Sequence, residues 1–243
     1  MAYIIFVNPS ILSETGMDYG AVFVATCLAA AIGCLVMGLW ANYPVALAPG
    51  MGLNAFFTYT VVFSMGYTWQ TALGAVFFSG CLFFLLSALR VREWIIRSIP
   101  TTLRLAIAAG IGAFLALIGL QNANIIVAND DTMVTLGSLS EPSVLLAAAG
   151  FFLIIGLVAR QVQGAALISI LLVTVIAWAT GLVEYNGIVS APPSLLPTFM
   201  QMDLAAAFDI GMLSVIFAFL FVDLFDTSGT LLAVAQKAGL AKA

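Results

Sequence analysis

The sequence predicts an all-α integral membrane protein whose third crossing is discontinuous, a short extended segment followed by a half-helix. Three observations carry that expectation. Hydrophobic residues make up 63% of the 243-residue chain and charged residues only 7%, against about half and a quarter in a soluble domain. Apolar windows of membrane-crossing length recur along the whole chain. One of those windows is interrupted by Pro44, Pro49, Gly50 and Gly52, and a span broken in this way marks where a transporter holds its cargo.

Met1 to Leu12 is apolar, but a helix of that length reaches only about 18 Å, short of the roughly 30 Å hydrocarbon slab. It reads as the tail of a first crossing whose beginning is missing. Full spans follow near residues 20–40, 45–65, 68–89, 103–123, 143–159, 164–183 and 208–232. Arg90, Arg92, Arg97 and Arg104 flank the loop after the fourth crossing, Arg160 lies between the sixth and seventh, and Lys237 and Lys242 follow the eighth. All the basic residues therefore fall on one side, and the positive-inside rule makes that side the cytoplasm. The opposite loops carry Glu14 and Asp18, then Asp130, Asp131 and Glu141, then Glu184, Asp203 and Asp209. The longest connection, about Glu184 to Asp209, holds Pro192, Pro193 and Pro197 and is expected to be an outer loop without a domain of its own.

Pro49 has no amide proton and pushes Ala48 out of the α region, so Val45 to Pro49 is most easily built extended. From Gly52 to Met65 no breaker occurs, and that stretch as helix covers about 20 Å. The helix thus starts well inside the slab. Its first amides have no partner in their own helix and carry the positive end of the peptide dipole, which suits an anion or a ring carbonyl oxygen. Gly50, Gly52 and Asn54 sit at that mouth and are candidate substrate-binding residues. The alternative is that Pro44 and Pro49 only kink a packed helix, with Asn54 as its cap.

Asp223 and Asp226 lie deep in the last span. A carboxylate at a helix centre costs on the order of 3 kcal/mol on the insertion scale, so the pair opposes insertion by roughly 6 kcal/mol. The surrounding Phe, Leu, Ile and Val side chains offset that figure but do not say where the acids point. Helical spacing does: Asp223, Asp226, Thr227 and Thr230 share one arc, away from Phe221, Leu224 and Phe225. Such a stripe faces a bundle interior or a wet cavity. Asp223 and Thr227 are candidates for binding substrate, and the Asp223–Asp226 pair for coupling transport to protons; protonated acids used for packing alone are the other reading. Asn8, beside Pro9 in the opening stub, is a secondary candidate.

The remaining composition excludes several classes. Cys27, Cys34 and Cys81 lie in apolar runs and histidine is absent, which suggests neither a disulfide framework nor a metal site. Scattered basic residues make no patch for nucleic acid. Met1 leads straight into Ala-Tyr-Ile-Ile-Phe-Val, with no basic region or cleavage site of a signal peptide.

Asn42-Tyr-Pro-Val-Ala-Leu-Ala-Pro-Gly-Met-Gly-Leu-Asn-Ala-Phe-Phe57, Met1-Ala-Tyr-Ile-Ile-Phe-Val-Asn-Pro9 and Val222-Asp-Leu-Phe-Asp-Thr-Ser-Gly-Thr-Leu231 resemble the nucleobase:cation symporter-2 family, and within it the adenine/guanine/hypoxanthine permease branch. The resemblance runs over the whole chain. It implies an inverted-repeat transporter fold of fourteen crossings in two repeats of seven, split into a core and a gate domain. Residues 1–89 would then be crossings one to four of the core, 90–183 crossings five to seven of the gate, 184–207 an extracytoplasmic loop, and 208–243 crossing eight of the core. Asp223 carries over as the purine-binding carboxylate, Asp226 as its neighbour in the same motif, and Asn54 as the polar residue of the third crossing. The function implied is secondary active transport of purine nucleobases, typically proton-coupled uptake.

The sequence departs from the family in extent: it lacks the tenth crossing and the second acidic residue used there. These 243 residues are therefore expected to be an incomplete portion, not a competent carrier alone. The expected partners are a purine nucleobase, H⁺ or another cation, the lipid bilayer, and a missing C-terminal half or second chain; a homodimer stays open. No cofactor is implied. Two rivals remain. An anion carrier of the same architecture would place buried acids awkwardly against its cargo. An intramembrane aspartyl protease would hold its two acids on different helices, whereas Asp223 and Asp226 are three apart on one.

Overall fold

A computed structural model of the chain describes residues 3–89, 101–183, 187 and 191–239. The expectations placed on Met1, Ala2, Arg90, Arg92, Arg97, Glu184 and Lys242 lie outside the described residues. The chain is mostly helical: α1 Ile4–Ser13, α2 Tyr19–Leu35 with a π-helical end Val36–Trp40, α3 Met51–Ser64, α4 Trp69–Ala88, α5 Thr101–Asn122, α6 Pro142–Ala159, α7 Ala165–Ala179 and α8 Ile210–Lys237.

Among the described residues, three helices are long and apolar enough to cross a membrane: Tyr19–Trp40, Trp69–Ala88 and Pro142–Ala159. Their outward faces are apolar, with Trp40 86% and Phe84 76% exposed, and in a protein of this composition that surface belongs against lipid rather than water. Two expected full spans are shorter. The 45–65 window becomes a helix only from Met51, because Pro44 and Pro49 hold the chain out of the α region. The 164–183 window ends its helix at Ala179, where Gly181 adopts φ 72° and its amide and that of Leu182 turn back to the carbonyls of Trp178 and Ala177, a glycine C-cap.

One correction concerns the all-α expectation. Between α5 and α6 the chain forms an antiparallel hairpin, β1 Ile126–Asn129 and β2 Met133–Leu136, with Ile126 opposite Leu136 and Asn129 opposite Met133. Asn129 closes its turn by accepting the amides of Asp131 and Thr132 on its side-chain oxygen. The β-branched residues on either side of an Asn-Asp-Asp turn are the local signal for it.

The chain divides into two compact units. The first comprises Tyr3–Ile111 and Pro192–Ala243, with a core in which Val22 of α2, Phe57 and Val61 of α3, Ala72 and Ala75 of α4, and Met212, Val215 and Phe219 of α8 are all buried. Small residues set the closest approaches. At Gly74 of α4 an added Cβ would lie 2.5 Å from the backbone oxygen of Asp203 and 2.8 Å from the Ala207 Cβ. Asp203 reinforces that contact by donating its amide to the Gln70 carbonyl. Gly74→Ala is therefore expected to lower the melting temperature of the detergent-purified protein, since backbone cannot step aside and overpacking costs about 1–3 kcal/mol. Gly80→Ala on the same helix, where nothing lies within 4 Å, serves as the control and should be neutral or slightly stabilising.

The second unit, Gly112–Ala191, holds the hairpin and the α6–α7 pair. There Gly150 admits Val173 to within 2.8 Å of where its Cβ would be, and the buried Ser169 hydroxyl donates to the Gly150 carbonyl at 3.0 Å. Small-residue contact and a polar tie are the two devices that hold helices together where no water drives association.

Candidate functional site

Residues 42–50 carry no regular structure, and Gly50, with extended backbone at φ −77° and ψ 128°, precedes the first turn of α3. Its N-cap residue is a glycine and makes no side-chain cap, so among the described residues the leading amides remain available at the positive end of the helix. The extended stretch is tied to α2 by a thiol. Cys34 donates to the Leu47 carbonyl at 3.3 Å and accepts the Leu47 amide at 3.2 Å, so one side chain does what a neighbouring strand would do. Gly33, one position earlier, leaves room for the Leu47 side chain.

The acidic stripe of α8 approaches this segment from another direction. The Phe219 ring meets Phe56 edge-on at 5.1 Å and Phe57 at 6.5 Å. Further along, an added Cβ on Gly50 would stand 2.8 Å from Asp226 Oδ2. Going backward along α3 from Phe57 to Gly50 thus corresponds to going forward along α8 from Phe219 to Asp226, so the two helices are antiparallel. On that register Asn54 is about 4.5 Å before Phe57 and Asp223 about 6 Å after Phe219, which sets them at nearly the same height. Asp223 is half-buried and accepts the Thr227 hydroxyl on Oδ1 at 3.0 Å, while the Thr230 hydroxyl donates to the Asp226 carbonyl at 2.6 Å.

Asn8 and Asn54 also meet. The Asn54 side-chain amide donates to Asn8 Oδ1, and Asn8 Nδ2 donates to Thr26 Oγ1 at 2.6 Å. Asn8 and Thr26 are buried, at 5% and 2% exposure. The structure therefore brings together Gly50 with Asp226, Asn54 with Asn8, and Asp223 with Thr227. Gly52 lies in the first turn of α3, half-buried.

A family described as a permease family, the nucleobase:cation symporter-2 permeases, matches residues 1–242. The chain belongs to this permease family. The adenine permease AdeP of Escherichia coli is 53% identical over 241 residues, which cover 99% of this chain and 54% of the relative. A putative permease of Methanocaldococcus jannaschii is 56% identical over 98% of this chain and 55% of its own length. The guanine/hypoxanthine permease PbuG of Bacillus subtilis is 48% identical over the whole of this chain and 58% of its own. This permease chain thus spans little more than half the length of the curated relatives it matches.

Two residues of the permease that tie the site together escaped sequence reasoning. Cys34 reads as one more apolar residue of α2, and its bond to Leu47 follows only once the extended segment lies beside it. Thr26 is the other; a threonine within an apolar helix is an ordinary back-bonded residue until a second polar group is seen facing it.

Proposed function

We propose that the chain is the N-terminal portion of a purine nucleobase transporter, with its pocket between the start of α3 and the acidic face of α8. The observation that carries this reading is the approach of Asp226 to Gly50, with Asp223 one turn away on the same stripe. Free amides and a glycine backbone on one wall suit ring acceptors of a flat heterocycle, and a carboxylate on the other suits its N–H groups. The names of the relatives, adenine and guanine/hypoxanthine permeases, support the same chemistry.

In this reading residues 45–65 are a discontinuous third crossing within an inverted-repeat fold, and Asp223 accepts a ring N–H of the purine. The Thr227 hydroxyl, already engaged with Asp223, orients that carboxylate. Proton occupancy of the Asp223–Asp226 pair couples uptake to a gradient. Residues 1–89 and 208–243 form the core domain, 90–183 the gate, and 184–207 the extracytoplasmic loop. Arg90 to Arg104, Arg160, Lys237 and Lys242 face the cytoplasm.

In this reading the rest of the pocket comes from sequence beyond these residues, on the same chain or a second one. The support for it is length: the chain covers 54% of the adenine permease and 58% of the guanine/hypoxanthine permease it matches. The test is uptake of labelled hypoxanthine and adenine in a host lacking purine uptake. The 243 residues are compared with a version completed by a homologous C-terminal half, and excess sulfate and bicarbonate serve as competitors. Uptake by the completed carrier only, blocked by unlabelled purine and not by anions, is expected. Uptake by the 243 residues alone would refute the incomplete-portion reading, and competition by sulfate or bicarbonate would favour an anion carrier.

A further inference from the structure

The Asn54–Asn8–Thr26 chain has a direction, and one residue sets it. The Thr26 hydroxyl donates its single proton to the Val22 carbonyl at 2.7 Å, the usual back-bond of a helical threonine. Only lone pairs are then left on Thr26 Oγ1 to face Asn8 at 2.6 Å. Asn8 must turn its NH₂ toward Thr26, its oxygen must face Asn54, and Asn54 must answer with its own NH₂. The two ends of a carboxamide have the same shape and differ only in hydrogen bonding, so this chain alone decides which way each amide is turned. Asn8 and Thr26 are buried, which leaves little water to satisfy a reversed amide.

We propose that Thr26 is a positioning residue that fixes the orientation of Asn8 and Asn54, so that Asn54 keeps its side-chain oxygen free to accept a ring N–H from the bound nucleobase. Thr26 touches no ligand; it acts two side chains away. The orientation stands on the three hydrogen bonds, and only its consequence for the ligand rests on the proposed purine pocket.

Two measurements on the completed carrier separate these. In Asn54→Asp a carboxylate faces the Asn8 oxygen, so melting in detergent should fall by several degrees. Adding Thr26→Val removes the acceptor that holds Asn8, which then turns its NH₂ toward the new carboxylate. The double variant should melt above Asn54→Asp alone. Losses that simply add would overturn the proposal. The second measurement is competition by a purine and by the same purine methylated at a ring N–H. The wild type and Thr26→Ser, which keeps both the back-bond and the acceptor, should discriminate equally. Thr26→Val should discriminate roughly five- to tenfold less, the worth of about one hydrogen bond. Equal discrimination in Thr26→Val, with uniformly weaker binding, would assign Thr26 to packing alone. If Asn54→Asp does not accumulate, this second measurement decides. If no purine binds the wild type, the proposed function fails and the melting cycle still decides the orientation.

Discussion

Gly50→Ala in the completed carrier is expected to weaken purine binding on the order of tenfold to a hundredfold and to lower the melting temperature only slightly. The backbone gives no reason for such an effect. At φ −77° and ψ 128° Gly50 lies in a region any residue adopts, and exchanging glycine for alanine at a compatible site stabilises through the unfolded chain. The whole loss must come from the space the methyl group needs, 2.8 Å from Asp226 Oδ2 and 4.0 Å from its Cγ. Carbon and oxygen do not approach that closely, so either the carboxylate swings off the stripe or α3 draws back from α8. Because the atom in conflict ends a flexible side chain, the carboxylate yields first and folding loses little; the binding loss stated above is the worth of one hydrogen bond to a charged group, about 1.5–3 kcal/mol, lost when that acidic wall is displaced. The second-site test is sharp, because Asp226→Ala removes the atom in conflict. Adding it to Gly50→Ala should restore melting even though Asp226 itself is needed for proton coupling in the proposed cycle. A Gly50→Ala carrier with unchanged melting and binding would show that Asp226 does not press on this glycine.

The parts of this arrangement differ in how far the chain alone reveals them, and the reason is range. Helix placement depends on local hydropathy and local breakers, so α2 with its π-helical end, α4 and α6 match their apolar windows to within one residue at each end, and Pro49 sets the start of α3 within a few residues. The acidic stripe is equally local, since the i, i+3, i+4 spacing of Asp223, Asp226 and Thr227 exists before any packing. The hairpin Ile126–Leu136 is legible in principle from its alternation and Asn-Asp-Asp turn, but its residues lie between long apolar spans and read as a polar loop. Nothing local announces the π-helical winding of Phe56–Ser64. The ties Asn8–Thr26, Asn8–Asn54 and Cys34–Leu47 join residues 18, 46 and 13 positions apart. Each partner is unremarkable by itself; only the fold shows that polar groups scattered over three helices and an extended segment satisfy one another. Asn8 shows the difference well. Beside Pro9 it reads as an optional polar residue, whereas it is the buried middle of a hydrogen-bond chain reaching the mouth of α3.

Asp223→Asn should abolish measurable purine binding in the completed carrier, a loss of about a hundredfold or more, while membrane insertion and melting stay near wild type. Asparagine matches aspartate in size, so the packing of α8 against α3 through Phe219 and Phe56 is untouched. It also keeps one acceptor oxygen for the Thr227 hydroxyl that Asp223 holds at 3.0 Å. What changes is that one of two acceptor oxygens becomes a donor and the charge disappears. A ring N–H that faced a carboxylate then meets either a neutral carbonyl or an N–H of its own kind. Hydrogen bonds to a charged group are worth about 1.5–3 kcal/mol net, and leaving a buried donor unpaired adds a further penalty of similar size. Exchanging a carboxylate for an uncharged amide of the same size does not raise the cost of insertion, so a loss of binding with unchanged melting cannot be blamed on failed assembly. The measurement is equilibrium binding of radiolabelled purine, run beside a melting curve of the same preparation. Asp223→Glu, which keeps charge and lengthens the arm, should retain part of the affinity if the carboxylate is the recognising group. Wild-type affinity in Asp223→Asn would remove this residue from the pocket and leave Asp226, on the Cβ side of Gly50, as the acid that meets the ligand.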